Sequence, residues 1–310
     1  MVAGLAWNGG TFLMRRTELM RRLGWSAWAL VPVALLAFHF GPGKTLAARE
    51  IAATRFREAS ELERLAIDLQ AEAYRAHLDT IERRRQAFLD GDAAADPTDD
   101  DAGGIDADDR ERVAYEAAST AWAAVADAYA QVEERLVDDD PRTIDRVRWS
   151  KARARVRSGA IWDGVVDLEP LTVPRSRAPG DVELARAARE ELATAHYFGA
   201  RLLRMAGEPA RVWRAEAIKA RQHFRLLAET AAAAGAEATV VRGLEDNVER
   251  TIDLEQMDKS ELEGRALPRE SPRGTRGRRP GQGREGVSQR PPTRRDGRGA
   301  GGPGPIGPGW

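Results

Sequence analysis

The stretch Tyr115-Glu-Ala-Ala-Ser-Thr-Ala-Trp-Ala-Ala-Val-Ala-Asp-Ala-Tyr-Ala-Gln-Val-Glu-Glu-Arg-Leu136 carries the clearest periodicity in the chain. Tyr115, Ala118, Trp122, Val125, Tyr129, Val132 and Leu136 recur at intervals of 3, 4, 3, 4, 3 and 4. On a helix these residues form one stripe, whereas a strand would scatter them over both faces. Packing against neighbouring helices is the first reading of such a seam, and dimerisation through it the second.

Working outward, the C-terminal side reads as a succession of helices. Asp138-Asp139-Asp140-Pro141 ends the first helix and starts another, with Pro at an early helical position. Ile144, Trp149, Ala152 and Val156 lead to a turn at Ser158-Gly159, and Ile161 to Leu168 follow, stopped by Pro170. After a loop over 174–180, Asp181 is the expected N-cap. Leu184, Ala188, Leu192, Ala195, Gly199 and Leu202 form the next apolar face, closed by Gly207-Glu208-Pro209. Trp213, Ala217, Ala220, Phe224 and Leu227 repeat at 4, 3, 4 and 3, and Val241, Leu244, Val248 and Ile252 mark a last helix.

On the N-terminal side, Asp90 to Asp109 holds nine Asp among Ala, Gly and Pro. A calcium loop of the EF-hand type needs oxygen ligands at its first, third, fifth and twelfth positions. With Ile105 in the apolar place, Thr98 and Ala102 fall at the first and fifth, so the pattern fails and an acidic linker is expected. From Thr45 to Leu89 there is neither Pro nor Gly. Leu62, Leu65, Leu69, Tyr74, Leu78, Ile81 and Phe88 give this long helix an apolar face. It reads either as a stalk or as a helix folded back on the domain.

Upstream of it, residues 24–40 form an apolar run without Asp, Glu, Lys or Arg. Seventeen helical residues span roughly 25 Å, close to the ~30 Å hydrocarbon core of a bilayer. Trp25 and Trp28 near one end and Phe38 and Phe40 near the other suit interfacial anchors, with Leu35 between them. Arg15, Arg16, Arg21 and Arg22 precede the run, so the N-terminus is expected inside and everything after Lys44 outside. Retention as a signal anchor is preferred over cleavage after Ala47.

Charge is segregated under a net value of −1. Residues 1–40 carry four Arg against one Glu, and residues 265–310 carry eleven Arg against three acids. The body between them is acidic. Without cysteine, disulfides, thiolate metal sites and a Cys nucleophile are excluded. The tail from Arg265 is Arg, Gly and Pro with almost nothing apolar, a composition that cannot bury enough surface to fold. Its Arg-Gly pairs could contact phosphate, but no aromatic is interleaved before Trp310 to stack on bases.

The paired helices, with Ala195, Gly199 and Ala220 at the crossing points, resemble a tetratricopeptide array, and Ala220-x-x-x-Phe224 matches its second-helix pattern. The 34-residue period is not kept, and Ala228 falls one position late, leaving two degenerate units in 145–230. The stretches Glu191–Gly207 and Ala220–Glu229 are similar to membrane-anchored tetratricopeptide-like proteins of planctomycete-type bacteria, some encoded beside von Willebrand factor A proteins and AAA ATPases. That resemblance implies a scaffold.

The four histidines, His39, His77, His196 and His223, form no H-E-x-x-H, and neither His196 nor His223 has a Glu three residues earlier. No nucleophile elbow or phosphate loop is present. Gly41-Pro-Gly-Lys44-Thr45 echoes the end of a phosphate loop but lacks its first Gly. No catalytic, cofactor-binding or metal residue is therefore assigned.

The expectation is an all-α protein. It comprises a basic N-terminus (1–23), a transmembrane signal anchor (24–42), a long amphipathic helix (43–89) and an acidic linker (90–109). A helical tetratricopeptide-like domain (110–262) and a disordered tail (263–310) complete it. The expected function is a single-pass scaffold of the inner membrane that binds a protein on its outer side. Tyr115, Trp122, Tyr129, Trp213 and Phe224 are the candidate interaction seam. The alternative is a cytoplasmic nucleic-acid-binding protein acting through its Arg/Gly tail.

Overall fold

The structure, a computed structural model, describes residues 30–33, 36, 42–89, 102–136 and 140–275. The described residues are helical throughout, without a strand. Helices α1 (Pro42–Leu89) and α2 (Ala102–Arg135) form one long hairpin. Shorter α3 (Pro141–Arg157) and α4 (Ile161–Leu168) connect it to a second group. That group contains α5 (Pro179–Met205), α6 (Ala210–Ala233), α7 (Ala238–Gln256) and the single turn α8 (Lys259–Gly264).

The long helix α1 is folded back on the body. Phe56 and Glu63 meet Tyr129, His77 meets Glu111, and Arg84 meets Asp108, so the two helices run antiparallel. The face it buries differs from the leucine face read from the sequence. Ala52, Ala59, Ala66 and Ala73, seven residues apart, are 0–3% exposed, and Thr80 continues the row at 3%. Leu62, Leu65, Leu78 and Phe88 are instead 38–72% exposed. The cause is volume. The stripe of α2 is bulky, and Trp122, Val125, Tyr129 and Val132 are all 0–2% exposed. Alanines opposite those rings let the backbones approach and the core fill at native density.

Other boundaries shift for comparable reasons. Helix α2 begins at Ala102, inside the expected acidic linker. Ala107 is buried, and Asp108 accepts two hydrogen bonds from Arg84 on the facing helix. Asp181 lies within the first turn of α5 and does not cap it. The cap position is Ala178, and the Asp181 carboxylate takes Ser176 and Arg142.

The second group alternates in direction. Ala193 packs near Phe224, Ala200 near Ala217, and Leu254 near Ala217, so α5, α6 and α7 run up, down and up. Ala195 and Ala220 are fully buried at the crossings. At Gly199 the Trp162 indole lies so close that a Cβ would stand 2.5 Å from its ring. The α5–α6 turn is closed by Gly207 at φ +80°, with the Glu208 N–H donating to the Leu203 carbonyl.

Residues 263–275, within the segment expected as disordered tail, have a defined place in the fold. Leu267 is 3% exposed and packs with Ala73, Tyr115 and Ala118, and Ser271 is fully buried. Residues 276–310 lie outside the described residues, as do 90–101 of the linker. Among the described residues no helix is long and apolar enough to cross a membrane. The apolar run 24–40 enters them only at 30–33 and 36. The chain there is helical, and Leu30, Val31, Val33 and Leu36 are 47–63% exposed. Trp25, Trp28, Leu35, Phe38 and Phe40, the expected anchor residues, fall outside the described residues.

Candidate functional site

The five seam residues are not on the surface. Tyr115, Trp122, Tyr129, Trp213 and Phe224 are 2–6% exposed and divide among four core clusters. Tyr129 donates a 2.6 Å hydrogen bond to Glu63, and Trp213 lies under the Arg204 guanidinium at 4.6 Å. Large aromatics at helical spacing were needed inside, against alanine-lined neighbours, so as an interaction seam they are withdrawn.

The apolar side chains left outside lie on the other flank of the α1–α2 hairpin. Leu62 and Leu65 are in helical register with Leu69, which borders a groove between the two helices of about 580 Å³. Its floor is Ala76, Ala114 and Ala117 with Val113, and Glu72, Arg75, Asp79 and Arg110 stand along its walls. Val113, on the facing helix, is 55% exposed. A long, small-residue floor between alternating charges has the shape of a seat for an amphipathic helix. The exposed leucines were visible in the sequence. The spacing shows an apolar face but does not say whether that face packs inside.

A second cleft, of about 450 Å³, lies where α2, α3 and the loop after α4 meet. It is lined by four acids and four bases, and they pair with one another. Lys151 and Arg148 each approach Glu133 at 2.6 Å, Arg142 approaches Asp181 at 2.8 Å, and Arg175 holds Asp145 with two donors. Burial would raise the Glu133 carboxyl, but the Arg148 and Lys151 hydrogen bonds carry it below the usual carboxylate range. Any ligand here must compete with a network that is already satisfied.

His196 and His223 come together across the α5–α6 hairpin, their rings parallel and 6.0 Å apart. His196 Nδ1 is 2.8 Å from the Glu216 carboxylate, and the two side chains are only 2–3% exposed. Lys219 reaches the same carboxylate at 3.3 Å. Burial, with the repulsion of His196, Arg189 and Lys219, lowers His223 to about 4. This is an imidazole–carboxylate pair enclosed within the hairpin, beside a histidine kept neutral. Shut from solvent, it ties α5 to α6 and presents no proton to a substrate. Among the described residues no group of three or more His, Asp or Glu is placed to hold a metal.

A third charged system ties the long hairpin to the rest. Arg153 pairs with Glu63, and Arg157 pairs with Glu191 at 2.5 Å and with Glu270. Arg157 is buried under the Trp122 ring. Burial alone would lower it, but Glu191 and Glu270 hold its guanidinium above the ordinary arginine value. Sequence reasoning missed Glu270 and Leu267, which stand in a segment read as tail. Their one signal is an isolated Leu followed three positions later by an acid among arginines.

Compared with known proteins, the chain matches no family model, no curated protein and no solved structure.

Proposed function

We propose that the protein is a membrane-tethered helical scaffold, without enzymatic activity, that captures a partner protein along the groove between α1 and α2. The observation carrying this reading is the inverted packing of α1. Its alanines are buried, and Leu62 and Leu65 face solvent at 38% and 53% exposure beside a preformed groove. Large apolar side chains in register along an open groove favour a partner helix.

The location rests on the run at 24–42. The described side chains of that run, Leu30, Val31, Val33 and Leu36, are all exposed, an arrangement that water penalises and hydrocarbon does not. The arginines before it orient the N-terminus inside and the body outside the inner membrane. The resemblance to membrane-anchored tetratricopeptide-like proteins points the same way.

Two measurements test the reading. A photocrosslinker at position 65 of the full-length protein in native membranes is expected to give a discrete adduct with one protein. The charge-introducing substitution Leu62→Glu should abolish that adduct. A topology reporter fused after Trp310 is expected on the outer side. A cytoplasmic signal would overturn the location and bring the Arg-Gly segment into contact with nucleic acid.

A further inference from the structure

The stretch Arg265–Thr275 has no helix of its own, yet it is fixed in place by side chains from four helices, α1, α2, α3 and α5. Arg201 on α5 donates to the Leu262 and Arg265 carbonyls at 3.2 and 2.6 Å. Gln70 on α1 donates to the Arg269 and Ser271 carbonyls, both at 3.2 Å. His77, also on α1, accepts the Leu267 backbone N–H at Nε2, at 2.9 Å. Salt bridges complete the fastening, with Glu270 on Arg157 and Arg273 3.5 Å from Glu111.

The His77 contact differs from the rest because it requires one protonation state. Nε2 receives a backbone N–H and must carry a free lone pair. Nδ1, 3.0 Å from a Glu111 oxygen, must then carry the ring's proton and donate it. The neutral imidazole satisfies both neighbours. A second proton can go only on Nε2, where it would face the Leu267 N–H and leave that buried amide without an acceptor.

We propose that Arg265–Thr275 is a pH-sensitive clasp, unfastened from the α1–α2 hairpin when His77 takes up a second proton. The groups facing His77 act in opposite senses. Glu111 on α2, 5% exposed, stabilises the imidazolium. Arg273 on the clasp, 3.5 Å from the same Glu111 carboxylate, opposes it. Tyr115 on α2, edge-on at 6.2 Å, stays protonated because burial drives its hydroxyl upward. Tyr74 and Thr80 on α1 itself are neutral. Release uncovers the seat of Leu267 on Ala73, Tyr115 and Ala118, and parts Arg273 from Glu111.

The test is hydrogen exchange of the full-length protein at about pH 7.5 and about pH 5.5, on either side of imidazole titration and corrected for intrinsic exchange. Protection of the 265–275 segment is expected to fall about tenfold in acid, the loss expected of one backbone hydrogen bond, while helix α3 is unchanged. His77→Gln places an amide oxygen where Nε2 stood and does not titrate, so its clasp should stay protected at both values. Equal protection of the natural protein at both values, or an acid loss in His77→Gln equal to the natural one, overturns the proposal. Glu111→Gln keeps His77 but removes the charge favouring its protonation, so release should move to lower pH. A move to higher pH overturns the proposal equally.

Discussion

The two hairpins of this protein solve the same packing problem in opposite ways. In α5–α6, both helices contribute large residues to the interior, with Leu192, Phe198 and Leu202 on one and Trp213, Phe224 and Leu227 on the other. Close approach between them is allowed at small residues such as Ala193, Ala200, Ala217 and Ala220. In α1–α2, one helix contributes nearly all the volume. The aromatics of α2 meet a row of alanines, and the leucines of α1 are left outside. Burial therefore follows complementarity of volume across the interface, and hydrophobicity alone does not rank which face goes in. A helix whose partner is already bulky packs best with its smallest side chains.

The sharpest way to break this comparison is to delete volume from the side that supplies it. Trp122→Ala should destabilise the protein by about 3–5 kcal/mol, the range for large aromatics truncated in a core, because α1 offers only alanines to collapse into the void. A urea titration followed by circular dichroism reads the loss as a lower midpoint. A loss near that of an average surface mutation would mean that α1 does not rest on Trp122.

Adding volume to the small side is the next test. Ala66→Leu places a leucine where a residue has no exposed surface, and should cost about 1–3 kcal/mol by overpacking. Gly199→Ala makes the same kind of test where α5 meets the Trp162 ring of α4, with a sign that propensity alone reverses. Alanine in a helix is favoured over glycine by roughly 1 kcal/mol, but here its Cβ would stand 2.5 Å from the buried, rigid Trp162 ring. A lower melting temperature is expected for both variants. A rise for Gly199→Ala would show that Trp162 moves freely.

A smaller effect separates the hairpins by pH. His223 titrates at about 4 in the folded α5–α6 hairpin, against an ordinary value of 6.5. Between those values the unfolded chain binds a proton that the folded chain refuses. The hairpin's stability is therefore full above about pH 6.5 and declines as pH falls towards about 4, where it levels. His223→Gln should flatten that limb of a melting-temperature profile. An unchanged limb would assign the acid loss elsewhere; Glu111, whose carboxyl burial raises but His77 and Arg273 hold low, loses its contribution only at still lower pH.

How much of this could be read from the chain alone depends on what each element uses for packing. The stripe Tyr115–Leu136 was legible because large residues at a strict spacing leave one interpretation, and all seven are buried. The alanine row of α1 was not legible. Alanine is abundant throughout, and its period of seven is outshone by the leucines beside it. The groove was hidden for the same reason, since spacing alone does not say which face of α1 packs inside. The clasp was illegible for another reason. Its order comes from hydrogen bonds to residues far away in sequence, such as Gln70 to Ser271 across 201 positions. No local composition signals that.

The smallest expected effect is also the most discriminating. If Leu62 and Leu65 sit outside the core, replacing both with Ser removes only part of their packing and should cost about 1 kcal/mol or less. Part of that cost is lost helix propensity, because serine is a poorer helix former than leucine. Had the leucine face been the core face, the same pair would cost several times that, since each buried Leu truncation typically costs about 2–5 kcal/mol. The two packings of α1 thus differ several-fold in one thermal melt. A small loss also supplies a folded variant lacking the groove's exposed leucines. Loss of partner crosslinking from a probe at position 113 in it would then report on binding, because the fold is intact.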